Sequence, residues 1–142
     1  MTTEDDHATS IRLAHYTPLR YPGGKAKLAG FVKAIIEANG LHDGHYVEPY
    51  AGGAGVAMDL LLHEYVQNIH INDISRPIFS FWLSVLENTD KLVRLIQKTP
   101  LTMKNWTRQK NVLRNQDDYD DLDLGFATFF LNRTNRSGIL NG

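Results

Sequence analysis

From Lys25 onward Leu28, Phe31, Val32, Ile35 and Ile36 recur at the three- and four-residue spacing that aligns one face of a helix, and Asn39-Gly40 supplies a stop. Residues 46–50 and 67–71 read as short strands, with an apolar helical stretch at 56–62 between them. Strand, helix, strand in that order predicts a parallel βαβ unit and an α/β fold. Three helices are predicted next. Ser75 caps the first, with Pro77 in its opening turn and Ile78, Phe81, Trp82, Val85 and Leu86 as its buried stripe. Thr89 caps the second, which carries Leu92, Val93, Leu95 and Ile96 to a stop at Thr99-Pro100; Thr102 starts the third, which carries Met103, Trp106 and Leu113. An acidic turn from Asp117 to Asp121 reads as a solvated loop, and residues 124–131 as a strongly apolar helix. Ahead of all this the pattern fades into charges and threonines, which predicts a flexible arm over residues 1–18 and one domain over residues 19–142.

Composition narrows the classes without naming one. A chain of 142 residues that is 42% hydrophobic has material for a single core. Its formal net charge of −1 neither points to nor excludes nucleic acid, because DNA binding depends on a local basic patch more than on the total. With no cysteine there is no disulfide, thiolate nucleophile or cysteine zinc site. His7, His15, His42, His45, His63 and His70 show no paired metal spacing, so no structural metal is expected. The first ten residues are acidic and polar, and no apolar run approaches the length of a membrane span; a cytoplasmic protein without a membrane partner is expected.

The chemistry concentrates behind the first strand. Glu48-Pro49-Tyr50-Ala51-Gly52-Gly53-Ala54-Gly55 places Gly52, Gly53 and Gly55 where backbone can approach a ligand, at the entry to a helix whose first N–H groups are free. A tight turn without a ligand is the plainer alternative. Asp73 ends the second strand about twenty residues past the glycines, the spacing at which a carboxylate meets ribose hydroxyls in dinucleotide folds. Taken alone it equally fits a helix-capping aspartate, and the loop with its acid equally fits a nicotinamide-dependent oxidoreductase. Upstream, Arg20-Tyr21-Pro22-Gly23-Gly24-Lys25 adds an aromatic ring and a lysine. An aromatic face suits a sulfonium cation or an adenine, and the lysine suits a carboxylate. Glu48 suits a cofactor amino group, or equally a structural role against backbone N–H groups. Asn132-Arg133-Thr134-Asn135-Arg136 follows the last apolar helix as a cationic segment that suits phosphate or guanine, or a helix C-terminus. Lys104, Arg108, Lys110 and Arg114 read as a solvated helix face.

Together the tyrosine–lysine segment, the glycine loop, Ile71-Asn72-Asp73 and the stretch from Phe130 to Ile139 resemble the N-terminal part of the Dam-type, D12 class, DNA adenine-N6 methyltransferases. The resemblance runs from about Leu19 to the end of the chain. It implies a partial Rossmann-like methyltransferase fold that uses S-adenosylmethionine. Tyr21, Lys25, Glu48, Gly52, Gly53, Gly55 and Asp73 would hold that cofactor, and Arg133, Asn135 and Arg136 would meet double-stranded DNA. Dam members proper carry an aromatic residue and an asparagine where Arg136 and Ser137 stand, so neither an intercalating role nor a GATC preference carries over. The family's Asp-Pro-Pro-Tyr segment, which receives the flipped adenine, is absent from these 142 residues. The expectation is therefore a fragment with no catalytic residue of its own, inactive alone, whose missing C-terminal part could be a separate chain. A non-catalytic remnant or split subunit is the rival of another class.

Overall fold

A computed structural model describes residues 16–21 and 24–140. Residues 1–15 of the expected arm, together with Pro22 and Gly23 of the tyrosine–lysine segment, lie outside the described residues. A short 3-10 turn, Lys25–Leu28, leads into α1 (Ala29–Ala38); β1 (Gly44–Glu48), α2 (Gly55–Leu62) and β2 (Val66–Ile71) follow. Then come α3 (Arg76–Glu87), α4 (Thr89–Lys98), α5 (Met103–Arg114) and α6 (Asp121–Thr134); a second 3-10 turn, Gln116–Asp118, separates α5 from α6, and a third, Arg136–Gly138, lies beyond α6.

β1 and β2 pair in parallel, with Tyr46 opposite Ile69 and Glu48 opposite Ile71. This is the βαβ unit that the pattern predicts, although β1 starts and ends two residues earlier than the apolar run suggests. The parallel hydrogen-bond ladder outlasts the strands: Asn72 N–H donates to the Glu48 carbonyl at 3.1 Å, and Ala51 N–H to the Asn72 carbonyl at 2.9 Å. The mixed helix and strand architecture, with its two-stranded parallel sheet, is compatible with part of a methyltransferase fold. Two apolar clusters support the sheet. Ile36, Val56, Leu60 and Val66 pack between α1, α2 and β2, and a larger core gathers Ile78, Phe81, Trp82, Leu92, Leu124, Phe126, Phe130 and Leu131 from the C-terminal helices.

Helices α3 and α6 cross closely because small residues meet there. A side chain at Gly125 would lie 2.4 Å from the Ser84 hydroxyl and 2.6 Å from the Ser80 carbonyl, so only glycine fits. Buried hydroxyls keep their hydrogen bonds across the crossing. Ser80 donates to the Asp121 carboxylate at 2.7 Å, and Thr128 to the Pro77 carbonyl at 3.1 Å.

Several expectations need correction. The C-terminal helix is longer than residues 124–131, because Asp120 accepts the Asp123 N–H at 2.9 Å and caps it, and Asp121 and Asp123 fall in its first turn. The second half of the acidic run is thus a helix start rather than a loop. Ser75 occupies the cap position of α3 without a side-chain cap bond, and α4 is preceded by Asn88, Thr89 being its first residue. The Thr89 hydroxyl donates backward to the Val85 carbonyl at 2.5 Å. Leu86, read as part of a buried stripe, is exposed, and so are Met103 on α5, Leu28 in the turn before α1, and Phe31 and Ile35 on α1. Periodicity marks an apolar face; it does not say that another element covers it. Conversely Lys110, expected on a solvated face, is buried with its ammonium over the Trp106 ring. No helix among the described residues is long and apolar enough to cross a membrane.

Candidate functional site

The C-terminal ends of β1 and β2 bring together the residues that the sequence singled out. Asp73 Oδ2 accepts the Gly52 N–H at 2.8 Å, and Oδ1 accepts the Ser75 N–H at 2.9 Å. One carboxylate therefore fixes the glycine loop to the entry of α3. The Gly52 carbonyl accepts the Trp82 indole N–H at 2.9 Å, so the loop is held from the core side as well.

Glycine is required in this loop for two separate reasons. Gly52 has φ of +51°, and a side chain there would meet carbons of the Tyr21 ring at 2.8–2.9 Å. Gly53 and Gly55 carry no such backbone demand; their vacant side-chain positions face Tyr21 at 3.2 Å and Ala26 at 3.0 Å. The segment before α1 thus lies directly on the loop. The left-handed residue at the helix entry is Ala54, at φ of +49° and fully buried, a conformation that costs an L-residue about 1–2 kcal/mol.

Alanine at that position has no oxygen with which to cap α2. Glu48 does so instead, accepting the Ala57 N–H at 3.2 Å from the end of β1. Its carboxylate is 3% exposed and its other oxygen lies 3.0 Å from the Lys25 ammonium, which also donates to the Tyr50 carbonyl. A buried carboxylate needs such compensation. Burial, and then the Glu48 charge, push the neighbouring Tyr46 hydroxyl above its ordinary range. Among the described residues the N–H groups of Gly53, Gly55 and Val56 meet no acceptor, leaving the loop and the first turn of α2 with free donors.

Beside this loop lies an open cleft of about 530 Å³, lined by Tyr21, Gly53 and Gly55 and by four cations, Arg20, Lys25, Lys27 and Arg133. Among the described residues no carboxylate lines it, although the chain as a whole is slightly acidic. Arg20 and Lys27 were not singled out in the sequence, and no spacing rule would have found them; they become neighbours of Arg133 only because α6 ends beside the N-terminal segment.

The cationic C-terminal segment divides. Arg133 reaches the cleft and Arg136 is exposed, but Asn135 is committed internally: its Oδ1 accepts the Trp106 indole N–H at 2.8 Å, and its Nδ2 donates to the Ile139 carbonyl at 2.7 Å. Asn132, read as the start of that cationic segment, is instead buried and hydrogen-bonded to the backbone of Arg20. Asn132, Arg133 and Thr134 lie within α6, not in a loop after it.

A family model described as D12 class N6 adenine-specific DNA methyltransferase matches residues 21–139, a span that includes the tyrosine–lysine segment, both strands, the glycine loop and the end of α6. No curated protein and no solved structure matches the chain. The matched span covers well over half of the 142 residues, and on that ground the chain belongs to the D12 class N6 adenine-specific DNA methyltransferase family.

Proposed function

We propose that this chain is the cofactor-holding part of a DNA adenine-N6 methyltransferase, binding S-adenosylmethionine at the ends of β1 and β2 and double-stranded DNA along the cationic cleft. The observation that carries the reading is the Asp73–Gly52 hydrogen bond beneath the Tyr21 ring, which puts an aromatic face, free backbone donors and a carboxylate at the end of a parallel strand pair. The residues fit the group. Tyr21 suits its sulfonium or adenine, the N–H groups of Gly53, Gly55 and Val56 suit its carboxylate, and Asp73 retains acceptor capacity for ribose hydroxyls. When bound, S-adenosylmethionine supplies a methyl group activated for transfer to nitrogen.

Around that site the chain's own residues set the geometry. Lys25 and Glu48 hold the loop and the start of α2, and Trp82 fixes the loop against the core. Arg20, Lys27 and Arg133 offer phosphate contacts, which position a duplex without reading its sequence. The acceptor half of the reaction, an adenine taken out of the stack with its N6 held in line, needs an Asp-Pro-Pro-Tyr segment that these residues do not contain.

Equilibrium binding of radiolabelled S-adenosylmethionine and of labelled NAD to the 142-residue chain tests this directly. Saturable binding of the first, with no methyl transfer to adenine in duplex DNA, is expected. Binding of NAD alone would transfer the site to oxidoreductase chemistry.

A further inference from the structure

The side chain of Asn132 grips the N-terminal segment by its main chain. Its Oδ1 accepts the Arg20 N–H at 2.8 Å, and its Nδ2 donates to the Arg20 carbonyl at 2.8 Å and to the Gly138 carbonyl at 3.0 Å. The amide is 1% exposed, so this is a buried and satisfied polar junction between segments 112 residues apart. Gly138 tightens it. With φ of +73°, a side chain there would lie 2.2 Å from the Arg20 carbonyl, so the turn after α6 is pressed onto Arg20 with no room to spare.

What the junction joins gives it meaning. On one side, Arg20 continues into Tyr21, whose ring covers Gly52 of the loop tied to Asp73. On the other, Asn132 is followed by Arg133 and Ser137, which line the cationic cleft. Neither segment can shift without straining the three hydrogen bonds of Asn132.

We propose that Asn132 is a positioning residue that couples the two ligands, so that duplex bound along Arg133 and Arg20 strengthens S-adenosylmethionine binding at Tyr21 and Gly52, and the reverse. This rests on the functional reading above. The sign follows from order: the first ligand restricts both segments through the shared junction, and the second meets a segment already restricted. Reciprocity is then required by linkage.

The experiment is S-adenosylmethionine binding to the full chain with and without a saturating DNA duplex, for wild type and Asn132→Ala. Wild type should bind the cofactor at least about fivefold more tightly with duplex present, a typical lower bound for coupled sites. In Asn132→Ala the ratio should fall to about one while each ligand still binds alone. A junction that merely supports the fold would weaken binding in both conditions and leave the ratio unchanged, which would overturn the proposal. Should Asn132→Ala fail to fold, hydrogen exchange on wild type decides: cofactor alone must slow exchange at residues 138 and 139, and duplex alone at residue 52, none of which lines the cleft. Loss of that cross-protection overturns the coupling. If both ligands bind with a ratio of one, only the coupling fails; if no cofactor binds at all, the functional reading fails with it.

Discussion

Asp73 and Gly52, 21 residues apart in sequence, meet at 2.8 Å where the carboxylate accepts the loop amide. The contact exists because the ladder between β1 and β2 continues through Asn72, which aligns the two strand exits and leaves the loop amide facing the acid. A carboxylate so placed serves the fold before it serves any ligand, since both its oxygens are already accepting backbone N–H groups.

Asp73→Ala should therefore do two things at once. It leaves the Gly52 and Ser75 amides without their acceptor, a loss of about 1–3 kcal/mol for a partly buried group, and it removes the proposed ribose acceptor. Thermal melting and cofactor binding measured on the same preparation separate the effects. Asp73→Asn keeps one acceptor oxygen and should recover part of the stability without recovering binding. A variant with alanine at 73 that melts like wild type would show that the tie is not structural.

Gly52→Ala combines a backbone penalty with a collision. The left-handed conformation costs about 1–2 kcal/mol for alanine, and the new methyl would strike the Tyr21 ring. The double variant Gly52→Ala, Tyr21→Ala should relieve the collision and leave the backbone part, so the two substitutions should be non-additive in denaturant melts. Strict additivity would place the ring elsewhere.

Those two residues also mark how far the sequence could be read. The strands, the glycine loop and the family are legible because each has a local signature: period-two runs, glycines at a helix entry and a tyrosine–lysine segment at a fixed remove. What Gly53 and Gly55 make room for is not legible, since their neighbours Tyr21 and Ala26 arrive from another part of the chain. The same holds for Asn135, read as a DNA contact from its place between arginines and found bonded to Trp106. Exposed Phe31 and Met103 teach the converse, because an apolar residue at helical spacing is buried only if some other element packs on it. For Glu48 a structural role against backbone N–H groups was legible as one of two readings, but not which N–H it meets, since a cap is sought next to its helix and this one comes from the preceding strand.

Stability should also carry a pH signature at the start of α6. Burial, and then the Asp120 charge, raise the Asp123 carboxyl above its ordinary value, with Arg108 opposing. The folded state thus holds this proton more tightly than the unfolded state does. As pH rises through the window between the ordinary and the raised value, stability falls. Asp123→Asn has no such proton to lose, so its melting temperature should gain on that of wild type as pH rises from the ordinary carboxyl value through the raised one. Asp123 is mostly exposed, which keeps the effect small. A gap that narrows as pH rises would contradict the assignment.

The cationic cleft makes a prediction about DNA that separates charge from scaffold. Arg133 lines the cleft and Arg136 is exposed nearby, whereas Asn135 is bonded to Trp106 and Ile139. Replacing either arginine by alanine should weaken duplex binding alike across sequences and reduce the slope of log affinity against log salt by about 1, the value expected when one phosphate contact is lost. Asn135→Ala should leave that slope unchanged. It should instead lower the melting temperature, because the partly buried Trp106 indole N–H is left without an acceptor, a cost of about 1–3 kcal/mol. Filter binding over a salt series, with melts of the same variants, reads both quantities. A salt slope reduced by Asn135→Ala but not by Arg133→Ala would mean that the duplex runs along a different face of α6, and that the cations of the cleft serve another anion.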